Sequence, residues 1–170
     1  MTRTLPFPFA SCGIALLLAM PWGGVISVGA EEGGAKPFPP TSAEHQALTA
    51  SSPYLGNDAF TLRNDYWKGT VSTDSGTAVR LQFFKGNTYR LIFGVSTDHL
   101  PKTARLHLHI FDSKEKEVST VAGEPGQAAI VLNFEKNRKT DLYLVLMRIE
   151  PQVGPTAPVE VPSVLFYGWE

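Results

Sequence analysis

Two histidines separated by one residue are the side chains of this sequence best suited to bind a metal ion. His107 and His109 lie in the alternating segment 105–111, which predicts a β-strand. Residues at positions i and i+2 of a strand point to the same face, so the two imidazoles are expected side by side, next to Arg105. Imidazoles in this arrangement suit a divalent metal such as zinc or copper.

A metal site of this kind needs a third ligand, and three residues are candidates for it. His99, Asp98 or Asp112 would supply the ligand if folding brings one of them to the histidines. The alternative is that His107 and His109 form the polar outer face of a strand whose inner face is apolar. Alternation alone predicts polar residues at both positions, so it does not separate the two interpretations.

Aromatic side chains at the two ends of the apolar part of the chain form a second candidate site. Tyr66 and Trp67 lie near its start, and Tyr167 and Trp169 lie near its end. If the first and last strands pair, these rings come together and would stack on a sugar or anchor a protein partner. The alternative is that they close an open edge of the fold, because large aromatic side chains are mostly buried.

Local patterns typical of catalysis are missing from the sequence. It has no Gly-x-Ser-x-Gly nucleophile elbow and no glycine-rich phosphate-binding loop. A hydrolase site would have to be assembled by the fold from scattered carboxylates such as Asp65, Asp74 and Glu135. We therefore expect a protein that is not an enzyme and has no resident cofactor, with a divalent metal at the histidine pair as the exception.

Composition narrows the classes of partner. The 170 residues include 15 lysines and arginines against 16 aspartates and glutamates, for a formal net charge of -1. This balance argues against nucleic acid as a partner, because a nucleic-acid binder needs a basic surface. Hydrophobic residues make up 43% of the chain, which excludes a disordered protein, and a single cysteine excludes a disulfide within the chain.

The first thirty residues read as an export signal. Arg3 is followed by an apolar stretch that is densest at 14–20, and Val28 and Ala30 are small residues at the positions a signal peptidase reads. Residues 1–30 are therefore predicted to be a signal peptide, and the protein to be secreted or periplasmic. The alternative is a retained membrane anchor, but the apolar run is short of the roughly 20 residues that a spanning helix needs. After cleavage we expect no stable membrane span.

The remainder divides into a predicted flexible linker, 31–59, and a predicted globular domain, 60–170. The linker is rich in glycine, proline and serine and lacks a clear apolar period. The domain has short apolar segments that predict seven or eight strands. The clearest are 79–84, 89–95, 105–111, 129–134 and 142–147, and the weaker ones are 66–71, 117–121 and 163–167.

These strands predict an all-β fold. Alternation indicates that each strand has one face in the core and one in water, which favours an antiparallel two-sheet β-sandwich. Residues 85–87 contain a glycine between two strand segments and predict a hairpin-type loop. No segment after residue 60 shows a convincing helical period.

The order of these segments resembles the bacterial pre-peptidase C-terminal domain over about residues 77–149. The resemblance rests on FFKGNTYRL at 83–91, LHLHIFD at 106–112, IVLNF at 130–134 and DLYLVL at 141–146. It implies a jelly-roll-like β-sandwich that acts as a non-catalytic accessory or binding module of an exported protein. The acidic run that binds calcium in some members of that family is not evident here.

Together these patterns predict an exported binding module that recognises a protein or a glycan of the cell envelope. The predicted ligand-binding residues are Tyr66, Trp67, Tyr167 and Trp169. The first alternative is a periplasmic metal-binding protein that uses His107 and His109. The second is a small hydrolase whose site is assembled by the fold.

Overall fold

A computed structural model describes residues 37–135, 139–152 and 157–170. The predicted signal peptide, 1–30, and the first six residues of the predicted linker lie outside the described residues. The described ranges contain one helix and nine strands. Their bounds are α1 Ala43–Leu55, β1 Thr61–Leu62, β2 Trp67–Ser72, β3 Thr77–Phe83, β4 Thr88–Val95, β5 Ala104–Phe111, β6 Glu117–Ala122, β7 Ala129–Glu135, β8 Asp141–Pro151 and β9 Glu160–Trp169.

The strands form two antiparallel sheets that pack face to face. Sheet A has the order β1-β9-β4-β7, with β2 also paired to β9, and sheet B has the order β3-β8-β5-β6. Most chain connections cross from one sheet to the other, which is the strand arrangement of a jelly roll. The predicted β-sandwich is confirmed, with nine strands in place of seven or eight because the short β1 extends the edge beside β2.

The core lies between the sheets and is built from the inward residues of alternating strands. In β4 these are Tyr89, Leu91, Phe93 and Val95, as the period of two predicts. Four rings fill one end of the core: the ring of Phe83 lies 4.3 Å from that of Tyr89 and 5.2 Å from that of Tyr143, with Phe134 alongside. The apolar alternation of the sequence therefore determines the inner faces of both sheets.

The predicted hairpin at 85–87 is wrong. β3 pairs with β8, whereas β4 pairs with β7 and β9, so the two strands belong to different sheets. The turn instead carries the chain across the sandwich. The hydroxyl of Tyr89 accepts a hydrogen bond from the backbone N–H of Phe84 at 2.7 Å, and Gly86 adopts a φ of 91°.

The prediction of a flexible linker over 31–59 is wrong for Ala43–Leu55, which form helix α1. The side chain of Ser42 caps the helix by accepting a hydrogen bond from the backbone N–H of His45 at 3.2 Å. Apart from Glu44, the buried residues of α1 are small, so the sequence has no row of large apolar side chains at helical spacing. Within the described ranges, no helix is long and apolar enough to cross a membrane.

Helix α1 covers the outer face of sheet A. Ala43 and Ala47 pack against Ile92, Val164 and Phe166, which point away from the sandwich core. The approach is close because Gly94 has no side chain: a Cβ atom there would lie 2.6 Å from the carbonyl oxygen of Ala43. The folded unit therefore begins before residue 60.

Two groups of charged contacts tie α1 to sheet A. Lys68 on β2 lies 2.5 Å from the carboxylate of Glu44, whose side chain is only 7% exposed. Burial raises the pKa of Glu44, but the ion pair with Lys68 outweighs it and holds the pKa below 4.5. At the other end of the helix, the guanidinium of Arg90 lies 4.6 Å from the ring centroid of Tyr54 and pairs with Glu170 at 2.8 Å.

The close approach of α1 predicts the effect of a single methyl group. Gly94→Ala should lower the free energy of unfolding by about 1–3 kcal/mol, because the methyl group forces α1 away from sheet A. Gly56→Ala is the matched control, since nothing lies within 4 Å of a Cβ at that position. Urea unfolding of both variants checks this expectation, and an equal effect of the two substitutions would contradict it.

The burial of Glu44 predicts that its ion pair with Lys68 contributes more to stability than an ion pair at the surface does. Lys68→Met should destabilise the protein by about 1–2 kcal/mol at pH 7, between the values for exposed and fully buried pairs. Because the folded pKa of Glu44 is lowered, this contribution is present above pH 4.5 and is lost as the pH falls below it. Lys139→Met is the control, since its partner Asp141 is 21% exposed. Thermal unfolding of both variants at pH 7 and pH 3 is the measurement. An equal loss of stability in the two variants at pH 7 would contradict the expectation.

Candidate functional site

The structure places His107 and His109 side by side on the outer face of sheet B. Their rings are nearly parallel, with centroids 6.0 Å apart. Each imidazole faces a carboxylate on a different neighbouring strand. Nε2 of His107 lies 3.1 Å from Glu150 on β8, in a contact that lacks hydrogen-bond alignment, and Nδ1 of His109 lies 3.1 Å from Glu117 on β6.

None of the candidate third ligands joins the two histidines. His99 lies in the loop after β4, where Nδ1 is 3.3 Å from the hydroxyl of Ser96, and Asp98 is exposed in the same loop. Asp112 follows β5, and its carboxylate accepts hydrogen bonds from the backbone N–H groups of Lys114 and Lys116. Across the part of the chain that the structure describes, no three metal-ligating side chains come together.

Partial burial changes the titration of His107. Burial lowers the pKa of this imidazole below 6.5, and the positive charges of Arg148 and Arg105 act in the same direction, while Glu150 opposes them. A hollow of about 370 Å³ lies beside it, lined by Arg105, His107, Glu150, Pro151 and Gln152. In the folded protein, the arrangement therefore favours a neutral His107.

Three of the four predicted ligand-binding rings point into the sandwich. Trp67, Tyr167 and Trp169 lie on the inner face of sheet A and pack against its core. The indole of Trp67 covers Gly69, where an added Cβ would lie 2.7 Å from the ring. Burial also raises the pKa of Tyr167.

Tyr66 lies on the other side of the same edge. Its ring packs edge-on against Phe166, with centroids 4.5 Å apart, on the outer side of sheet A, and remains 36% exposed. Because Tyr66 and Trp67 are adjacent in an extended segment, their side chains point to opposite faces. The structure thus pairs the first and last long strands, as expected, but does not bring the four rings onto one exposed surface.

The three carboxylates named for a hydrolase site are also separated. Asp65 precedes β2 and pairs with Arg63, whereas Asp74 follows the other end of β2. Glu135 ends β7, at the opposite edge of sheet A. The fold therefore does not assemble these residues into one site.

A feature that sequence reasoning missed is an open cleft on the outer face of sheet B. It encloses about 550 Å³ and is lined in part by Phe111, Leu142, Leu144 and Leu146. Leu142 is 54% exposed and is the most exposed large apolar side chain of the described residues. These four side chains, the apolar row, form the floor of the cleft.

Charged residues flank the apolar row on both sides. Arg80 on β3 lies opposite Leu144 in the strand register. On the other side, the turn between β5 and β6 contributes Asp112 and Glu115. The backbone N–H groups of Lys116 and Lys114 lower the pKa of Asp112, so its carboxylate is ionised at neutral pH.

Sequence reasoning had a signal for this cleft. The run Leu142 to Met147 is apolar at every position, so it does not alternate as a strand with one wet face should. Tyr143, Val145 and Met147 fill the core, and the intervening leucines must therefore face outward. When a strand is apolar on both faces, its outer face also has to be shielded from water by another part of the protein or by a partner.

The lowered pKa of His107 predicts a pH dependence. Because the folded pKa lies below the unfolded value of 6.5, neutral His107 contributes stability above pH 6.5 that is lost as the pH falls below it. His107→Asn should therefore lose less free energy of unfolding between about pH 7.5 and about pH 5 than the unmodified protein does. Urea unfolding across this range is the measurement.

Glu150→Gln provides the matched control for this pH effect. Removing the carboxylate that raises the pKa of His107 should steepen the loss of stability at low pH. If both variants follow the unmodified protein across the range, His107 does not titrate as its surroundings indicate.

Comparison with protein-family models finds no match for this chain, and a search of curated proteins finds no similar sequence. The resemblance to the pre-peptidase C-terminal domain therefore stays a prediction. The fold and the geometry of the outer face of sheet B are the basis for assigning a function.

Proposed function

We propose that this protein is a non-catalytic binding module whose ligand is another protein, bound on the outer face of sheet B. The observation that carries the proposal is the apolar row of Phe111, Leu142, Leu144 and Leu146. No helix or strand of the described residues packs over this row, in which Leu142 is 54% exposed and the other three side chains are half-buried, whereas α1 covers the matching face of sheet A. An apolar patch rimmed by charged residues is typical of a protein–protein interface.

The chemistry of the cleft favours a protein over a glycan. Sugars are bound by the exposed flat faces of aromatic rings, but Trp67, Tyr167 and Trp169 pack their rings against the core. The cleft floor is mainly aliphatic, and it suits the apolar side chains of a protein partner.

Two acidic groups of the rim, Asp112 and Asp141, support binding rather than catalysis. Asp112 is engaged by two backbone N–H groups, and Asp141 pairs with Lys139 at 2.6 Å and accepts a hydrogen bond from Ser113. A general acid or base needs a carboxylate that is free to meet the reacting group. These carboxylates instead fix the turns that border the cleft.

The sequence also predicts where this binding occurs. The predicted signal peptide, 1–30, would deliver the module out of the cytoplasm, so its partner belongs to the cell envelope or the secreted fraction. The metal-binding alternative has less support, because His107 and His109 each face a separate carboxylate.

Site-specific photo-cross-linking in the producing cell tests this proposal. The photoreactive residue p-benzoyl-phenylalanine replaces Gln82, an exposed residue opposite Leu142 on the outer face of sheet B. In a second form it replaces Thr70, which is exposed on sheet A. We expect a cross-linked protein from position 82 and none from position 70. Adding Leu144→Asp should lower the yield about tenfold, because a charge then lies in the apolar row.

Two results would contradict the proposal. One is the absence of any protein adduct at position 82, and the other is a yield at position 82 that Leu144→Asp leaves unchanged. Mass spectrometry of the adduct identifies the partner.

A further inference from the structure

We infer that the outer face of sheet B binds a second copy of this chain, in a two-fold symmetric dimer whose axis runs nearly parallel to β8. The inference rests on the proposed function, because it names the partner of the same face. It is carried by the distribution of charge on the two sides of the apolar row, which is complementary to itself.

The charges of the cleft are divided by the apolar row. Arg80 lies on the β3 side and forms no ion pair with any residue that the structure describes. The turn that carries Glu115 lies on the β5 side, and Glu115 likewise has no ion-pair partner in the described ranges. Among the residues that line the cleft, an unpaired cation and an unpaired anion thus lie on opposite sides of β8. Arg105 and Arg148, which also form no ion pair in the described ranges, lie outside the cleft, toward the other end of β5 and β8.

A two-fold axis along β8 brings these opposite charges together. Rotation by 180° about this axis places the β3 side of one copy over the β5 side of the other. Arg80 of each copy therefore faces Glu115 of the other, twice per dimer. An axis across the strands would instead place Arg80 against its own symmetry mate. Charge complementarity therefore selects the parallel axis.

The apolar row meets itself in the same arrangement. Leu144 lies midway between Leu142 and Leu146 and opposite Phe111, so a contact centred there places leucine on leucine. Stacked sheets cross at about 30°, so the axis is inclined by about 15° to β8. Because strand residues rise about 3.3 Å each, positions four residues from the centre then diverge by several ångström. This divergence keeps the two copies of Arg148 apart.

The size of the face sets the strength of the dimer. Four strands spaced about 4.8 Å apart, over some eight residues of about 3.3 Å each, present roughly 500 Å² per copy. Stable interfaces bury about 800 Å² per partner, so the contact lies at the small end of the range. We expect a dissociation constant in the micromolar range, about 1–100 µM.

Sedimentation of the full chain at about 1 µM to about 500 µM tests the inference. The expected result is a monomer that converts to a dimer across this range. Leu142→Gln should raise the dissociation constant at least about tenfold, because it removes apolar contact at the interface. Leu55→Gln is the matched control: Leu55 is 49% exposed, close to the 54% of Leu142, but it ends α1.

Charge reversal tests the symmetry of the dimer. Arg80→Glu and Glu115→Lys should each raise the dissociation constant about tenfold, since each places like charges opposite one another. The double variant restores opposite charges across the interface and should return the dissociation constant to within about threefold of the original.

The inference is overturned by a chain that stays monomeric up to about 500 µM, by a dimer that Leu142→Gln does not weaken, or by a double charge variant that is not restored. Its failure is distinguishable from failure of the proposed function. A cross-linked adduct at position 82 that differs from twice the mass of the chain retains protein binding and rejects the second copy.

Discussion

The inner strands β9 and β8 carry apolar side chains on both faces, and this property is the constraint on which the rest of the structure depends. Each strand fills the sandwich core with one face, as Leu165 and Val145 show. The other face then also has to be shielded from water, because exposed apolar area is unfavourable. A sandwich covers only the inner faces, so the two sheets need additional cover.

The two sheets meet this constraint differently. On sheet A, Gly94 leaves room for α1, and the ion pair of Glu44 with Lys68 and the stacking of Arg90 on Tyr54 hold the helix in place. On sheet B, the described part of the chain offers no equivalent layer over Leu144. The need to shield apolar side chains from water explains the helix on sheet A. The same need explains a binding face on sheet B, which links the fold to the proposed function.

The sequence patterns predicted the sandwich because period-two alternation follows directly from strand geometry. They did not predict α1, because alanines and serines pack closely without giving a strong helical apolar pattern. They also missed the partner of each strand: the turn with Gly86 has hairpin chemistry, yet β3 and β4 belong to different sheets. The histidine pair was correctly placed on one face, but only the three-dimensional contacts show that Glu150 and Glu117 occupy it separately. Leu142 lies in a run that is apolar at every position instead of alternating, and this departure from the strand pattern was the sequence signal for the candidate binding face.

The most direct test of the central claim measures whether solvent reaches the apolar row. A Leu144→Cys variant in a Cys12→Ser background has a single thiol on the outer face of sheet B, and its rate of reaction with a water-soluble disulfide reagent reports its exposure. We expect rapid reaction in dilute solution and a rate that falls as the protein concentration rises and a second copy covers the thiol. A rate that is fast at every concentration would contradict the account, because the face would then bind no second copy. A rate that is slow at every concentration would contradict it too, because the chain would then cover this face itself.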